Sequence, residues 1–81
     1  MTRAKRYQTV RLREAVGQFG AGQVGAVVEV YTSPYEAYDV EMVGDDGHTA
    51  GLLEGVRPEQ IDVARRVEAG GAAAAMRAQS R

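Results

Sequence analysis

The chain has 81 residues, of which 44% are hydrophobic and 26% charged, the balance of one small folded domain and not of a disordered segment. It contains no cysteine, which excludes a disulfide framework and a thiolate metal site. The formal net charge of −1 hides a layout: residues 1–13 carry +5, residues 14–63 carry −9 and residues 64–81 carry +3, so an acidic body lies between two basic ends.

Residues 1–6, with Arg3, Lys5 and Arg6, read as a basic, flexible leader. Gln8, Arg11 and Arg13 interrupt any hydrophobic signal core behind it, so no secretory peptide is expected. The longest apolar run, near residues 24–31, is broken by Gly25 and Glu29 and is too short to span a membrane. The expected location is the cytoplasm. From Tyr7, Val10 and Leu12 alternate with Thr9, Arg11 and Arg13, the two-residue period of a half-buried strand. Gly17, Gly20 and Gly22 mark a long loop over residues 14–23, whose Val16 and Phe19 are expected to fold back as a lid over the core.

Val24 to Tyr31 is the strongest strand, rich in β-branched residues. Strict alternation puts Ala26, Val28 and Val30 on one face and Val27, Glu29 and Tyr31 on the other. Thr32-Ser33-Pro34-Tyr35 is a turn. Ala37 to Val43 is the next strand, with Tyr38, Val40 and Met42 on one face and Asp39 and Glu41 on the other. Gly44-Asp45-Asp46-Gly47 is a hairpin signal, because Asp-Gly tolerates positive φ. His48 to Leu53 returns as a strand, Pro58 opens a short helical turn, and Ile61 and Val63 form a short last strand. The expected core includes Val28, Val30, Val40 and Leu52. Residues 64–81 form an alanine-rich tail, helix-prone over 64–69 and 72–79 with a hinge at Gly70-Gly71.

These elements predict a mainly β domain, a small barrel of about five strands over residues 7–63 with a short helical turn before the last strand. An open two-layer α+β fold is the alternative and requires the tail to pack as a helix. The run Gly22-Gln23-Val24-Gly25-Ala26-Val27-Val28-Glu29-Val30-Tyr31, followed by Tyr38-Asp39-Val40-Glu41-Met42-Val43, Asp46-Gly47-His48-Thr49 and Leu52-Leu53, resembles the bacterial family called domain of unknown function 4926. The likeness covers about residues 9–62. Met42 stands where that family more often has phenylalanine. The resemblance implies an SH3-like barrel and no agreed activity. Such small domains occur in some bacterial genomes beside toxin-like or enzymatic partners. The Gly-x-Val strand pattern is also similar to the KOW element of ribosomal and transcription proteins.

The residues argue against several chemistries. Gly22-Gln23-Val24-Gly25 precedes a strand, whereas a phosphate loop needs a helix N-terminus behind it. Asp45, Asp46 and His48, or Asp39 with Glu41, lack the spacing of an EF-hand or zinc site, so no metal or cofactor is expected. His48 is the sole histidine, and Ser33 and Ser80 lie in a turn and a tail, so no nucleophile–base pair is supported and no catalytic residue is assigned. Tyr31, Tyr35 and Tyr38 cluster around one turn, where aromatics can line a shallow groove for an extended peptide; the plainer reading is that Tyr38 is core and the other two are surface cover.

The acidic body weighs most. Phosphate recognition needs cations, so a barrel carrying −9 is expected to repel nucleic acid and to favour a basic protein partner, or simply to keep the domain soluble. The expected function is a non-enzymatic protein-binding module, an accessory or immunity/antitoxin-type protein, with Glu29, Tyr31, Tyr35, Asp39 and Glu41 as the contact residues. The alternatives are a KOW-like nucleic-acid binder acting through Arg3, Lys5, Arg6, Arg11 and Arg13, and a small regulatory subunit of an enzyme.

Overall fold

Residues 2–64 are described by a computed structural model of the chain. Five antiparallel strands form one sheet: β1 (Thr9–Leu12), β2 (Val24–Tyr31), β3 (Ala37–Val43), β4 (Thr49–Val56) and β5 (Ile61–Val63). A 3-10 turn, Pro58–Gln60, leads into β5. The sheet order is β4-β3-β2-β1-β5, so the last strand returns beside the first. This is the connectivity of an SH3-like barrel, as expected for a mainly β domain. Every strand contributes to one core: Val10 and Leu12, Val27, Tyr38, Val40 and Met42, Val56, and Ile61. The helix-prone tail expected over 64–81 lies outside the described residues except for Ala64, whose N–H donates to Thr9 O at 2.9 Å.

Local chemistry explains the connections. In the β3–β4 hairpin, Gly47 takes a φ of 83°, which side chains rarely adopt. Its N–H donates to Gly44 O at 2.9 Å, and Asp46 Oδ1 accepts from His48 N–H at 3.0 Å. The 3-10 turn has Pro58 at its start, and Gln60 Oε1 reaches back to the Arg57 N–H at 2.9 Å. In the long loop, Val16 and Phe19 exchange backbone hydrogen bonds at 2.9 and 3.0 Å. Both are half-buried against the core, as the lid expectation required. The Phe19 ring lies so close to Gly51 that a Cβ there would sit 2.9 Å from Cζ.

The pairing of β2 with β3 departs from strict alternation. Val27 pairs with Val40, yet Glu29 pairs with Asp39, so Val28 is an extra residue on β2. The extra residue reverses the parity of the strand. Val27 is fully buried before it, and Val30, opposite Tyr38, packs against the core after it. The expectation that Val27 shares a face with Glu29 and Tyr31 is therefore corrected. Val28, expected in the core, is only half-buried. Leu52 is corrected as well: it pairs with Glu41 on the outer face and is 52% exposed, while Leu53 pairs with Val40 and packs inward. Val40 is buried as expected.

The N-terminal residues are tied down as a strap. Ala4 is fully buried, and its N–H donates to the Tyr38 hydroxyl at 3.1 Å. The Arg3 N–H donates to Glu36 Oε2 at 2.8 Å, and the Tyr38 O–H donates to the same carboxylate oxygen. These two donors hold the Glu36 carboxyl below its usual range, the Tyr38 hydrogen bond most of all. Burial, and next the hydrogen bond to Glu36, push the Tyr38 hydroxyl above its ordinary value. The leader expected over residues 1–6 is thus anchored to the sheet at Arg3 and Ala4.

A Cβ at Gly25 would lie 2.6 Å from Glu41 O, 2.8 Å from Val40 Cγ1 and 2.9 Å from Met42 Sδ. Gly25→Ala should therefore destabilise by about 1–3 kcal/mol, because the nearest atom is backbone and cannot swing away. Leu53→Ala should also destabilise, and Leu52→Ala should stay within about 0.5 kcal/mol of wild type; thermal or urea unfolding of the three variants checks the order. Tyr38→Phe leaves the buried Ala4 N–H without its acceptor and should cost about 1–2 kcal/mol in the same assay. Because Glu36 has a lowered value in the folded state, the stability it adds is present above its ordinary value of 4.5 and is lost as pH falls through the lower folded value. The gap between wild type and Glu36→Gln should be widest near neutrality and close in acid.

Candidate functional site

The outer surface of β2 and β3 is set by pairing. Glu29 stands directly opposite Asp39, Ala26 opposite Glu41, and Glu41 in turn opposite Leu52 of β4. Four of the five expected contact residues, Glu29, Tyr31, Asp39 and Glu41, therefore lie on one outward face. Asp39 is held in place from two sides: Oδ2 accepts the Tyr31 O–H at 2.7 Å, and Oδ1 accepts the Gly55 N–H at 3.1 Å. Gly55 reaches Asp39 because β4 carries an extra residue between Leu53 and Val56, with Gly55 at a φ of 70°. Glu41 Oε2 accepts the Thr49 hydroxyl at 2.7 Å. The hydrogen bond to Asp39 raises the Tyr31 hydroxyl above its ordinary value, aided by desolvation and by the negative charges of Asp39, Glu29 and Glu54. Tyr31 thus sits in a field of carboxylates drawn from three strands.

Tyr35 is not part of that surface. It is 68% exposed and lines an open groove of about 380 Å³ with Glu36, Arg57, Pro58 and Glu59. Tyr38 is fully buried and serves the core, so of the three clustered tyrosines only Tyr31 and Tyr35 are available to a partner. Glu59 has a lowered value, held first by a backbone hydrogen bond and then by the Arg57 side chain at 3.0 Å.

The expected cationic residues are interleaved with acids. Arg6 Nη2 lies 2.8 Å from Glu29 Oε2, and Arg13 Nε lies 3.8 Å from Asp62 Oδ1. Arg11 pairs in register with Asp62 on β5. The contact of Arg6 with Glu29 joins residues 23 apart and has no local sequence signal. Pro58 with Tyr35 was equally hidden, because the 3-10 turn and the β2–β3 turn meet only in the folded chain. Asp46 and His48 stay in the hairpin, 3.6 Å apart at Oδ2 and Nδ1 and both well exposed. Among the described residues no group of three or more His, Cys, Asp or Glu side chains could hold a metal ion, and no helix is long and apolar enough to cross a membrane.

Comparison with known proteins gives one relationship. No curated protein and no solved structure matches the chain. The family described as a domain of unknown function, DUF4926, matches residues 7–63, from the turn before β1 to the last residue of β5. That span holds the sheet, the lid and the outer face of β2 and β3, and the chain belongs to the domain of unknown function 4926 family.

Proposed function

We propose that this domain is a non-enzymatic binding module for a basic protein, acting in the cytoplasm in an accessory or immunity-type role. The observation that carries the reading is the carboxylate row on the outer face. Glu29 and Asp39 are a directly opposed cross-strand pair of like charge. Such pairs lower sheet stability, and here each acid is held by its own partners, Glu29 by Arg6 and Asp39 by Tyr31 and Gly55, so both charges are kept on the surface in fixed positions. Asp39 is fixed by Tyr31 and Gly55, which orders its charge before any partner arrives. Glu41 and the half-exposed Tyr31 extend the row, and an ordered acidic surface with an aromatic beside it suits lysine and arginine side chains. The groove beside Tyr35 and Pro58 offers the same partner an apolar foothold near two further carboxylates, Glu36 and Glu59.

The test uses a fluorescent oligo-arginine peptide as a stand-in for a basic partner. The full chain should bind it at low ionic strength and lose affinity as salt rises. Asp39→Lys with Glu41→Lys should slow association by about tenfold or more. An unchanged association rate in that variant would remove the acidic face from the reading. Tight binding of duplex DNA or RNA at physiological salt, weakened by Arg3→Gln with Lys5→Gln, would replace it with the nucleic-acid alternative.

A further inference from the structure

We infer that the N-terminal strap is a built-in competitor for this face: in the free domain Arg6 occupies Glu29, and a guanidinium or ammonium group of the basic partner displaces it. The inference rests on the reading of the β2–β3 face as a site for a basic protein. Arg6 Nη2 sits 2.8 Å from Glu29 Oε2, with about half of each side chain open to solvent. The chemistry the face is proposed to recognise is therefore already present on it, supplied by the chain itself.

The backbone around Arg6 is built to present it. Residues 5–8 form a tight turn in which the Gln8 N–H donates to Lys5 O at 3.1 Å and the Lys5 N–H donates to Gln8 Oε1 at 2.8 Å. The Tyr7 N–H donates to Val27 O at 2.6 Å, which places the turn beside β2 just before the extra residue Val28. Tyr7 takes a φ of 74° while its side chain is 76% exposed. A non-glycine residue in that conformation is strained, and an exposed ring offers no packing to offset it. The backbone stays pinned there by the hydrogen bonds of Tyr7 and Gln8 with Val27, whereas the contact holding Arg6 on Glu29 is a half-exposed side-chain ion pair and is easy to release. Three residues upstream the strap behaves differently. Arg3 and Ala4 are fixed on Glu36 and Tyr38, with Ala4 fully buried. Arg6 can therefore leave Glu29 while its tether stays attached, and it returns at high local concentration when the partner leaves.

A peptide titration of three full-length chains tests the competition. Arg6→Gln should bind the oligo-arginine peptide roughly two- to fivefold more tightly than wild type, the range expected for removing a half-exposed ion pair. Lys5→Gln removes the same charge one residue away and should give a smaller gain, since its side chain is not the one on Glu29. In wild type, the Arg6 Nε–Hε NMR signal should move toward the position of a free guanidinium as peptide is added. Arg6→Gln binding no more tightly than wild type, an equal gain in Lys5→Gln, or an Arg6 signal that stays in place at saturation would each overturn the competition while leaving the face as a binding site. Absence of peptide binding by both wild type and Arg6→Gln at low salt would remove the site itself, and the competitor with it.

Discussion

One extra residue, Val28, decides which side chains of β2 face the core and which face solvent. Without it, a strand that buries Val27 would also turn Glu29 and Tyr31 inward and Val30 outward. With it, Val27 and Val30 both serve the core, opposite Val40 and Tyr38, and Glu29 and Tyr31 emerge together beside Asp39. A buried, unpaired carboxylate is costly enough to forbid the first arrangement. The irregularity in pairing is thus the device that lets one strand supply both a core and a charged surface. Gly25 completes it at the other end of the strand, where a missing side chain lets β3 approach.

The rest of the core is closed by segments that are not strands. A five-stranded sheet in a domain of this size leaves openings at its edges, and few apolar side chains remain to fill them. The lid puts Val16 and Phe19 over one opening, with Phe19 seated on Gly51. The strap puts Ala4 over another, with its N–H on the Tyr38 hydroxyl. Tyr38 links these roles: its ring is core, while its hydroxyl receives the strap and engages Glu36 at the rim of the groove. The strap and the groove are therefore joined at Glu36, which accepts from both the Arg3 N–H and the Tyr38 hydroxyl.

How much of this could be read from the sequence depends on whether a strand keeps its parity. Alternation placed Val10 and Leu12, and Tyr38, Val40 and Met42, on the core side because β1 and β3 carry no extra residue. It misplaces Val27 and Val28 because β2 carries an extra residue. A bulge is settled by the partner strand, which local sequence does not contain. Gly55 was a visible signal of one, a glycine inside a strand whose positive φ aims its N–H at Asp39. Asp39 and Glu41 were legible as one face from β3 alone, and Glu29 with Tyr31 from the part of β2 beyond the bulge. Tyr35 sat near them in sequence but went to the groove with Pro58. Arg6 on Glu29 was invisible, since it depends on a turn that sets a tyrosine in a conformation sequence rules reserve for glycine.

The strap makes two contacts of unequal strength. A buried backbone hydrogen bond whose loss would strand its donor is worth about 1–3 kcal/mol, whereas a half-exposed ion pair is worth about 0–1 kcal/mol. Ala4 on Tyr38 is of the first kind, and Arg6 on Glu29 of the second. The basic N-terminal segment is thus firmly attached through its backbone, at Ala4 and again where Tyr7 and Gln8 pair with Val27, and only the Arg6 side chain is weakly held where it meets the carboxylate row. Swapping Arg6 for another cation is nearly neutral in energy for Glu29, so the balance is set by what else an incoming chain contacts, Tyr31, Asp39 and Glu41 among them. A partner offering one charge gains little over the resident arginine. On the proposed reading, a partner offering several charges, spaced to follow the row, would gain at each further carboxylate over the single resident Arg6, so extended basic surfaces would be favoured over isolated cations.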